Sequence, residues 1–229
     1  MSLRATWLMA CLAVLALATA GHAHAQARTW ALDPVHTRVV FAIDHAGFSK
    51  SLGTFSGATG TLAFDPDGWD GARLDVSIPI ASLDLGDDKW NRATLARNLL
   101  DADTHPTARF VSTRIEPLDT RRAIVHGLLT LRGATREVAL DVTVNAVKRH
   151  PMPPFRRTAG FSATTMISRS DFGIDAWKSM VGDNVELRIE AEATLARGGT
   201  EGDAPDPPPA ADADTPPEPS HPPDPEPTP

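Results

Sequence analysis

The chain has 229 residues and a net charge of −7, and 41% of its residues are hydrophobic. The charge is unevenly divided, because residues 26–197 hold 21 basic and 21 acidic side chains, whereas residues 198–229 hold eight acidic side chains and no basic one. A central segment of zero net charge has no strong field for nucleic acid or anionic lipid, since such binding requires clustered lysine and arginine. We therefore expect no nucleic-acid partner.

The first 25 residues predict a secretory signal peptide. Arg4 provides a positive start, an apolar run follows from Trp7 to Ala20, and Ala23-His24-Ala25 matches the small-x-small cleavage pattern, as does Ala25-Gln26-Ala27 two residues later. The run is shorter than the roughly 20 residues that a membrane-spanning helix needs, which disfavours an anchor. A lipoprotein site at Cys11 is disfavoured because it would truncate the apolar run. We expect a periplasmic protein without stable membrane insertion after cleavage.

Cys11 is the only cysteine, so the mature chain is expected to contain none. Thiol catalysis, disulfide exchange and cysteine-ligated metals are thereby excluded. The fold must be held by its hydrophobic core, which is feasible because a domain of this size buries roughly 70% of its unfolded surface.

Residues 26–197 predict an antiparallel all-β domain. The dominant period of apolar residues is two, as in Val185, Leu187 and Ile189, which alternate with charged side chains. Turn-forming clusters separate eight such segments. In chain order the predicted strands are Arg38 to His45, Gly53 to Phe64, Leu74 to Ile80, Ala108 to Ile115, Ala123 to Leu131, Val138 to Val144, Arg157 to Ile167 and Val185 to Ala191.

Two segments depart from this period. Residues 87–100 place Trp90, Leu95 and Leu99 at helical spacing behind acidic residues, which predicts one helix. Residues 171–182 predict a second short helix or an ordered loop. Because strands and helices do not alternate regularly, a sandwich or a closed barrel is favoured over a parallel α/β fold, and closure of eight strands would remove both sheet edges. A transmembrane barrel is disfavoured, since the chain has no tyrosine for aromatic girdles.

Residues 198–229 contain twelve prolines and eight carboxylates, which predicts a disordered, partly extended tail. The tail is interpreted as a solubilising appendage, and a spacer or docking strip for a protein or cell-wall partner is the alternative.

Motifs for catalysis or metal binding are scarce. The chain has no G-x-S-x-G, H-E-x-x-H or phosphate-loop motif, and Asp171-Phe172-Gly173 stands without the other kinase motifs. Histidines of the central segment show no ligand spacing, and the carboxylate pairs lie where helix capping explains them. We therefore expect neither a catalytic residue nor a metal or cofactor. A lipid-modifying enzyme that uses His45 remains an alternative.

Four motifs together resemble a known family. Asp33 to Phe48 followed by Gly53-Thr54-Phe55, then His105 to Phe110, Gly127 to Leu140, and finally Arg169 to Gly173 are similar in order to motifs of the YceI-like, polyisoprenoid-binding proteins. Thr37 stands where that family commonly has serine. The resemblance implies a lipocalin-like, eight-stranded antiparallel barrel in the periplasm. It further implies that the interior holds an isoprenoid chain with either a diphosphate or a quinone head group.

Strand parity selects the residues expected to face the interior and line a ligand pocket. They are Phe41, Ile43, Phe55, Leu74, Val76, Ile78, Phe110, Leu129, Leu131, Val138, Leu140, Val142, Phe161 and Trp177. The residues expected near the head group are His45, Trp90, Arg92, Arg136, Arg169 and Lys178. The favoured interpretation is a non-enzymatic binder or carrier of an isoprenoid or similar amphipathic lipid. A solid barrel acting through its tail is the alternative, because core and pocket use the same residue types.

Overall fold

Ten strands lie within residues 27–196, the part of the chain that the computed structural model describes, and they follow the alternation of the sequence. They are β1 (Arg28–Leu32), β2 (Arg38–His45), β3 (Ser49–Phe55), β4 (Thr59–Asp65), β5 (Gly68–Pro79), β6 (Thr107–Pro117), β7 (Arg122–Leu131), β8 (Ala134–Arg149), β9 (Arg157–Ser168) and β10 (Val181–Leu195). Helix α1 spans Asp88–Leu95, and two 3₁₀ helices span Ile80–Ser82 and Arg169–Phe172. The predicted signal peptide and acidic tail lie outside the described residues.

The barrel closes through β10, which is long enough to pair with two strands in succession. Its first part pairs antiparallel with β2, and its last residues, Ala193 to Leu195, pair with β1. On the next position around the barrel, β3 pairs with β2, and β4 pairs with β1 on one side and with β5 on the other. Strands β1 and β2 are therefore two parts of one interrupted strand, and so are β3 and β4. Counted in this way, the barrel has eight antiparallel strands, and the predicted fold is confirmed.

Local boundaries differ from the prediction in three places. Strand β1 was not predicted, and the segment predicted as one strand from Gly53 to Phe64 is interrupted at residues 56–58. Helix α1 ends at Leu95, because Ala96 takes an extended conformation and the chain turns so that Leu99 and Leu100 pack against the core. Residues 171–182 contain the end of a 3₁₀ helix, a loop and the start of β10.

One half of the barrel interior is filled by side chains. We call it the packed half, and it surrounds Trp30, which is 0% exposed and donates its indole N–H to the Phe64 carbonyl oxygen over 3.0 Å. The Phe64 ring packs edge-on against Trp69 and Phe161, with centroid distances of 5.5 Å in both pairs. Further buried members of the packed half are Ala123, Val125, Val144, Ala159 and Ala193.

A middle layer continues this core along the barrel. Val138, Leu140 and Val142 of β8 are buried, whereas their neighbours in the chain face outward, as the period of two requires. Burial of each such side chain contributes about 1.5–3 kcal/mol to stability. Phe110 of β6 lies over Gly127 of β7, and a Cβ atom at Gly127 would lie 2.4 Å from Cζ of the Phe110 ring. The glycine therefore makes room for the ring that closes this layer.

Candidate ligand-binding cavity

The other half of the barrel encloses a cavity of about 520 Å³. We call this the hollow half. Its volume lies within the range of roughly 300–1,000 Å³ that is typical of pockets for small ligands. The strand residues that line it are Val39, Phe41, Ile43, Asp44, His45, Ser51, Phe55, Ile78, Ala108, Leu129, Leu131, Ile167, Val181, Val185 and Leu187. The remaining lining residues, from the connecting segments, are Ile80, Leu85, Trp90, Ala93, Thr94, Leu99, Leu100, Arg169, Ile174, Trp177 and Met180.

The connection between β5 and β6 forms one wall of the cavity. On the side away from β2, strand β3 has no partner strand among residues 27–196, and its only bridge there joins Thr54 to Asp84 in this connection. Helix α1 follows, capped by Asp87, whose side chain accepts a hydrogen bond of 2.9 Å from the Trp90 backbone N–H. Trp90, Ala93 and Thr94 then share the face of α1 that lines the cavity.

Aromatic side chains surround the cavity entrance. The imidazole ring of His45 and the indole ring of Trp90 are 5.7 Å apart between centroids. Trp177 is 61% exposed and adopts a positive φ of 61°, which is uncommon for a residue with a Cβ atom. Deeper inside, the rings of Phe41 and Phe55 are 5.6 Å apart. The entrance thus combines exposed rings with an apolar interior.

Glycine at position 53 allows the Phe41 ring to occupy its place. Gly53 of β3 lies directly opposite Phe41 of β2. A Cβ atom on Gly53 would lie 2.4 Å from Cζ of Phe41 and 2.8 Å from Cδ2 of Leu85. The ring therefore lies flat across the glycine, and a larger residue would force it into the cavity.

Arg169 is buried beside the cavity, with 4% of its surface exposed. Its Nε donates to the Gly182 carbonyl oxygen over 2.7 Å, and one terminal nitrogen donates to those of Ile174 and Ala176 over 2.6 and 2.8 Å. The other terminal nitrogen donates to the Val181 carbonyl oxygen over 2.9 Å. Arg169 therefore fixes the 173–180 loop, which carries Trp177 to the entrance.

Asp183 reinforces the same region from the outer side. The Ser168 hydroxyl donates to the Asp183 carboxylate, and so do the hydroxyl and the backbone N–H of Ser170. These hydrogen bonds, led by that of Ser168, hold the pKa of Asp183 below its usual value. Asp183 thus ties the start of β10, which follows the loop, to the end of β9 and to the 3₁₀ helix after it.

The predicted pocket residues separate into two groups by depth along the barrel. Phe41, Ile43, Phe55, Ile78, Leu129, Leu131 and Trp177 line the cavity. Leu74, Phe110, Val138, Leu140, Val142 and Phe161 instead pack in the core, and Val76 lies in the sheet between Gly60 and Phe110. Parity along a strand selects the inner face of a barrel, but it carries no information on depth.

The predicted head-group residues are also divided. His45, Trp90 and Arg169 line the cavity, although the Arg169 guanidinium is directed to backbone carbonyls. Arg92, Arg136 and Lys178 are not lining residues. Arg136 donates to the backbone carbonyl of Thr135 over 2.8 Å, and Lys178 pairs with Asp175 over 2.6 Å.

Several lining residues were missed in the sequence. Val39 shares the strand face of Phe41, and Val185 and Leu187 alternate in the same way in β10, so the signal for these residues was present. Thr94 lies one helical turn after Trp90 and could have been found from helical spacing. The contributions of Leu85 and Met180 follow from loop conformations that no sequence period encodes.

No helix within residues 27–196 is long and apolar enough to cross a membrane. In the same part of the chain, no group of three or more His, Cys, Asp or Glu side chains is arranged to hold a metal ion.

Comparison with known proteins gives consistent matches. The model of the YceI-like domain family matches residues 30–193. A UPF0312 protein of Pseudomonas savastanoi pv. phaseolicola is 34% identical over 167 residues, which cover 71% of this chain and 86% of that protein. The crystal structure of Burkholderia cenocepacia BcnA matches with a TM-score of 0.62 and 28% identity, over 71% of this chain and 99% of that one.

A more distant structure shares the fold alone. It is a polyisoprenoid binding domain from Saccharophagus degradans, implicated in plant cell wall breakdown, with 14% identity and a TM-score of 0.56. The match covers 75% of this chain and all of that domain.

Proposed function

The chain belongs to the YceI-like domain family, and on this premise we propose that it binds and carries a polyisoprenoid or similar long-chain amphipathic lipid without catalysing a reaction. One observation carries the proposal, namely the cavity of about 520 Å³ with a largely aliphatic and aromatic lining in the hollow half. Each methylene group buried in such a cavity contributes roughly 0.8 kcal/mol, so a hydrocarbon chain would bind tightly with few polar contacts.

The polar groups of the cavity support binding rather than catalysis. The imidazole of His45 contacts the Trp90 ring and makes no hydrogen bond to another residue of the described chain, so no second group orients it as a general base. The distant relative from Saccharophagus degradans, a polyisoprenoid binding domain, supports an isoprenoid as the ligand class.

We place this activity in the periplasm. The support lies in the first 25 residues, which combine Arg4, an apolar run and a small-x-small cleavage pattern. The lack of any cysteine after Cys11 is compatible with an oxidising compartment. A carrier there would shield a lipid chain from water between membranes or enzymes.

The proposal is tested by identifying what copurifies with the protein. We expect mass spectrometry of an organic extract to show a stoichiometric prenyl or other long-chain lipid when the protein is purified from its native compartment. Ala108 lines the cavity wall, so an Ala108→Trp variant should fill the space and lose the lipid. Ile78→Trp, directly opposite in the sheet, provides a second variant if the first folds poorly.

The matched control places the same side chain outside the barrel. Ala139 is exposed on the outer face of β8, so Ala139→Trp should retain the lipid in full. Empty extracts from the unmodified protein, together with no uptake from lipid vesicles, would contradict the proposal. Equal loss of lipid in the control would show that the cavity is not the binding site.

A further inference from the structure

We infer that the lipid carried in the hollow half has an uncharged head group with oxygen acceptors, such as an alcohol, an ester or a quinone carbonyl, rather than a diphosphate. The inference rests on the proposed function and concerns the same cavity. It follows from the kinds of polar group that line the cavity, and from the hydrogen bonds that already engage Arg169.

Arg169 is the one arginine or lysine among the cavity-lining residues of the described chain, and its donors are directed elsewhere. Four of its N–H groups bind backbone carbonyls of residues 174, 176, 181 and 182, at distances of 2.6–2.9 Å. A diphosphate could recruit this guanidinium only by breaking the hydrogen bonds that fix the 173–180 loop. Bidentate phosphate recognition requires free, parallel N–H donors, which Arg169 does not offer.

Two lysines outside the lining are paired with carboxylates, and one arginine is directed away from the entrance. Lys178 pairs with Asp175 over 2.6 Å, and Lys50 pairs with Glu186. Arg92 follows Trp90 by two residues, which places it on the opposite face of α1. None of the three lines the cavity.

A carboxylate occupies part of the entrance as well. Asp44 is a lining residue, exposed at the end of β2, and its side chain accepts a hydrogen bond of 3.0 Å from the Gly47 backbone N–H. A Cβ atom added to Gly182 would lie only 2.9 Å from the Cβ atom of Asp44. Asp44 therefore lies close to the start of β10. A diphosphate at this edge of the cavity would lie near the negative charge of Asp44.

The remaining polar groups suit a neutral acceptor. The Trp90 indole N–H and the Thr94 hydroxyl project from one face of α1, while the Ser51 hydroxyl lines the opposite wall on β3. None of these three side-chain donors is engaged with another residue in the described part of the chain. Neutral donors of this kind bind carbonyl and hydroxyl oxygens, and the neighbouring His45 and Trp90 rings can stack against a planar head group.

The test compares two probes that share one chain, farnesol and farnesyl diphosphate. Their dissociation constants are measured by titrating tryptophan fluorescence at low and high salt. We expect farnesol to bind at least tenfold more tightly at low salt. The difference between the two dissociation constants should narrow as salt is added, because salt screens the repulsion between Asp44 and the diphosphate.

Two variants test the individual groups. Thr94→Val removes the hydroxyl at constant volume and should weaken farnesol binding about threefold to tenfold, with no effect on the hydrocarbon farnesene. Ser51→Lys introduces a free cation inside and should strengthen diphosphate binding at least tenfold. Leu52→Lys, the next residue and 63% exposed, adds the same charge away from the lining and is the matched control.

The outcomes separate the two proposals. Equal or tighter binding of the diphosphate by the unmodified protein would overturn the uncharged head group, while lipid binding itself would stand. If neither probe nor farnesene bound, the proposed function would fail, and this inference would fail with it.

Discussion

The packed half around Trp30 and the hollow half around Trp90 contain the same classes of inward-facing residues but differ in what fills the space between them. In the packed half, aromatic rings of β4, β5 and β9 meet at centroid distances of 5.5 Å and leave little room. In the hollow half, the corresponding wall is made by helix α1 and the 173–180 loop, whose side chains surround a cavity. The comparison shows that the dense aromatic core and the cavity lie at opposite ends of one sheet.

The largest expected effect comes from removing one indole from each half. Trp30→Ala should lower the free energy of unfolding by about 3–5 kcal/mol, because it empties a fully buried site and leaves the Phe64 carbonyl without its donor. Trp177→Ala should change it by less than about 1 kcal/mol, since most of that side chain is exposed. Urea denaturation of both variants measures the difference. Similar losses would contradict the division into two halves.

A second prediction concerns the loop that closes the hollow half. Arg169→Met should lower the free energy of unfolding by about 2 kcal/mol, because four charge-assisted hydrogen bonds to backbone carbonyls are lost. Amide hydrogen exchange should accelerate within residues 174–182 and stay unchanged around Trp30. Arg169→Lys should not restore protection, since an ammonium group cannot bridge all four carbonyls.

Arg92→Met serves as the control for this prediction. Arg92 is exposed on α1, so its replacement should change stability by less than about 0.5 kcal/mol. Uniform acceleration of exchange across the barrel in Arg169→Met would show that the arginine supports the whole fold rather than the loop.

The smallest effect is a pH dependence at the same loop. Because its folded-state pKa is depressed, Asp183 contributes stability above its ordinary pKa of 3.8, and this contribution is lost as pH falls through the lower, folded value. Asp183→Asn should therefore be slightly less stable than the unmodified protein at neutral pH, and the two should converge in acid. The effect is small because the carboxylate is exposed. Denaturation at pH 7 and in strong acid, with identical ionic strength, provides the measurement.

The sequence predicted the fold well because alternation and turn residues are local signals. Eight segments with period two favoured a sandwich or a closed barrel, and the resemblance to the YceI-like family implied the barrel. Strand β1 was not predicted, because only Trp30 and Leu32 alternate within its five residues. The break at residues 56–58 was overlooked although Ser56 and Gly57 form a turn signal there.

The cavity could be predicted only in part, for a physical reason. Phe41 and Phe110 carry the same signal in their strands, yet one lines the cavity and the other lies in the core. Which of the two roles a residue takes depends on its distance along the barrel axis and on the segments that cover the barrel end. The Arg169 side chain shows the same limit, since its backbone partners are set by the loop conformation and not by its sequence position.

The attachment of β3 has a kinetic consequence for the barrel. On one side β3 is held by the full ladder to β2, but on the other side the bridge to residue 84 contains only two backbone hydrogen bonds, of 2.8 and 2.9 Å, between Thr54 and Asp84. Strand β3 can thus move away from residue 84 along this seam, while the ladder between β2 and β10 and the pairings of β1 and β4 remain closed. We expect the opening of this seam to set the rate of lipid exchange. Exchange should therefore be much faster than global unfolding of the barrel.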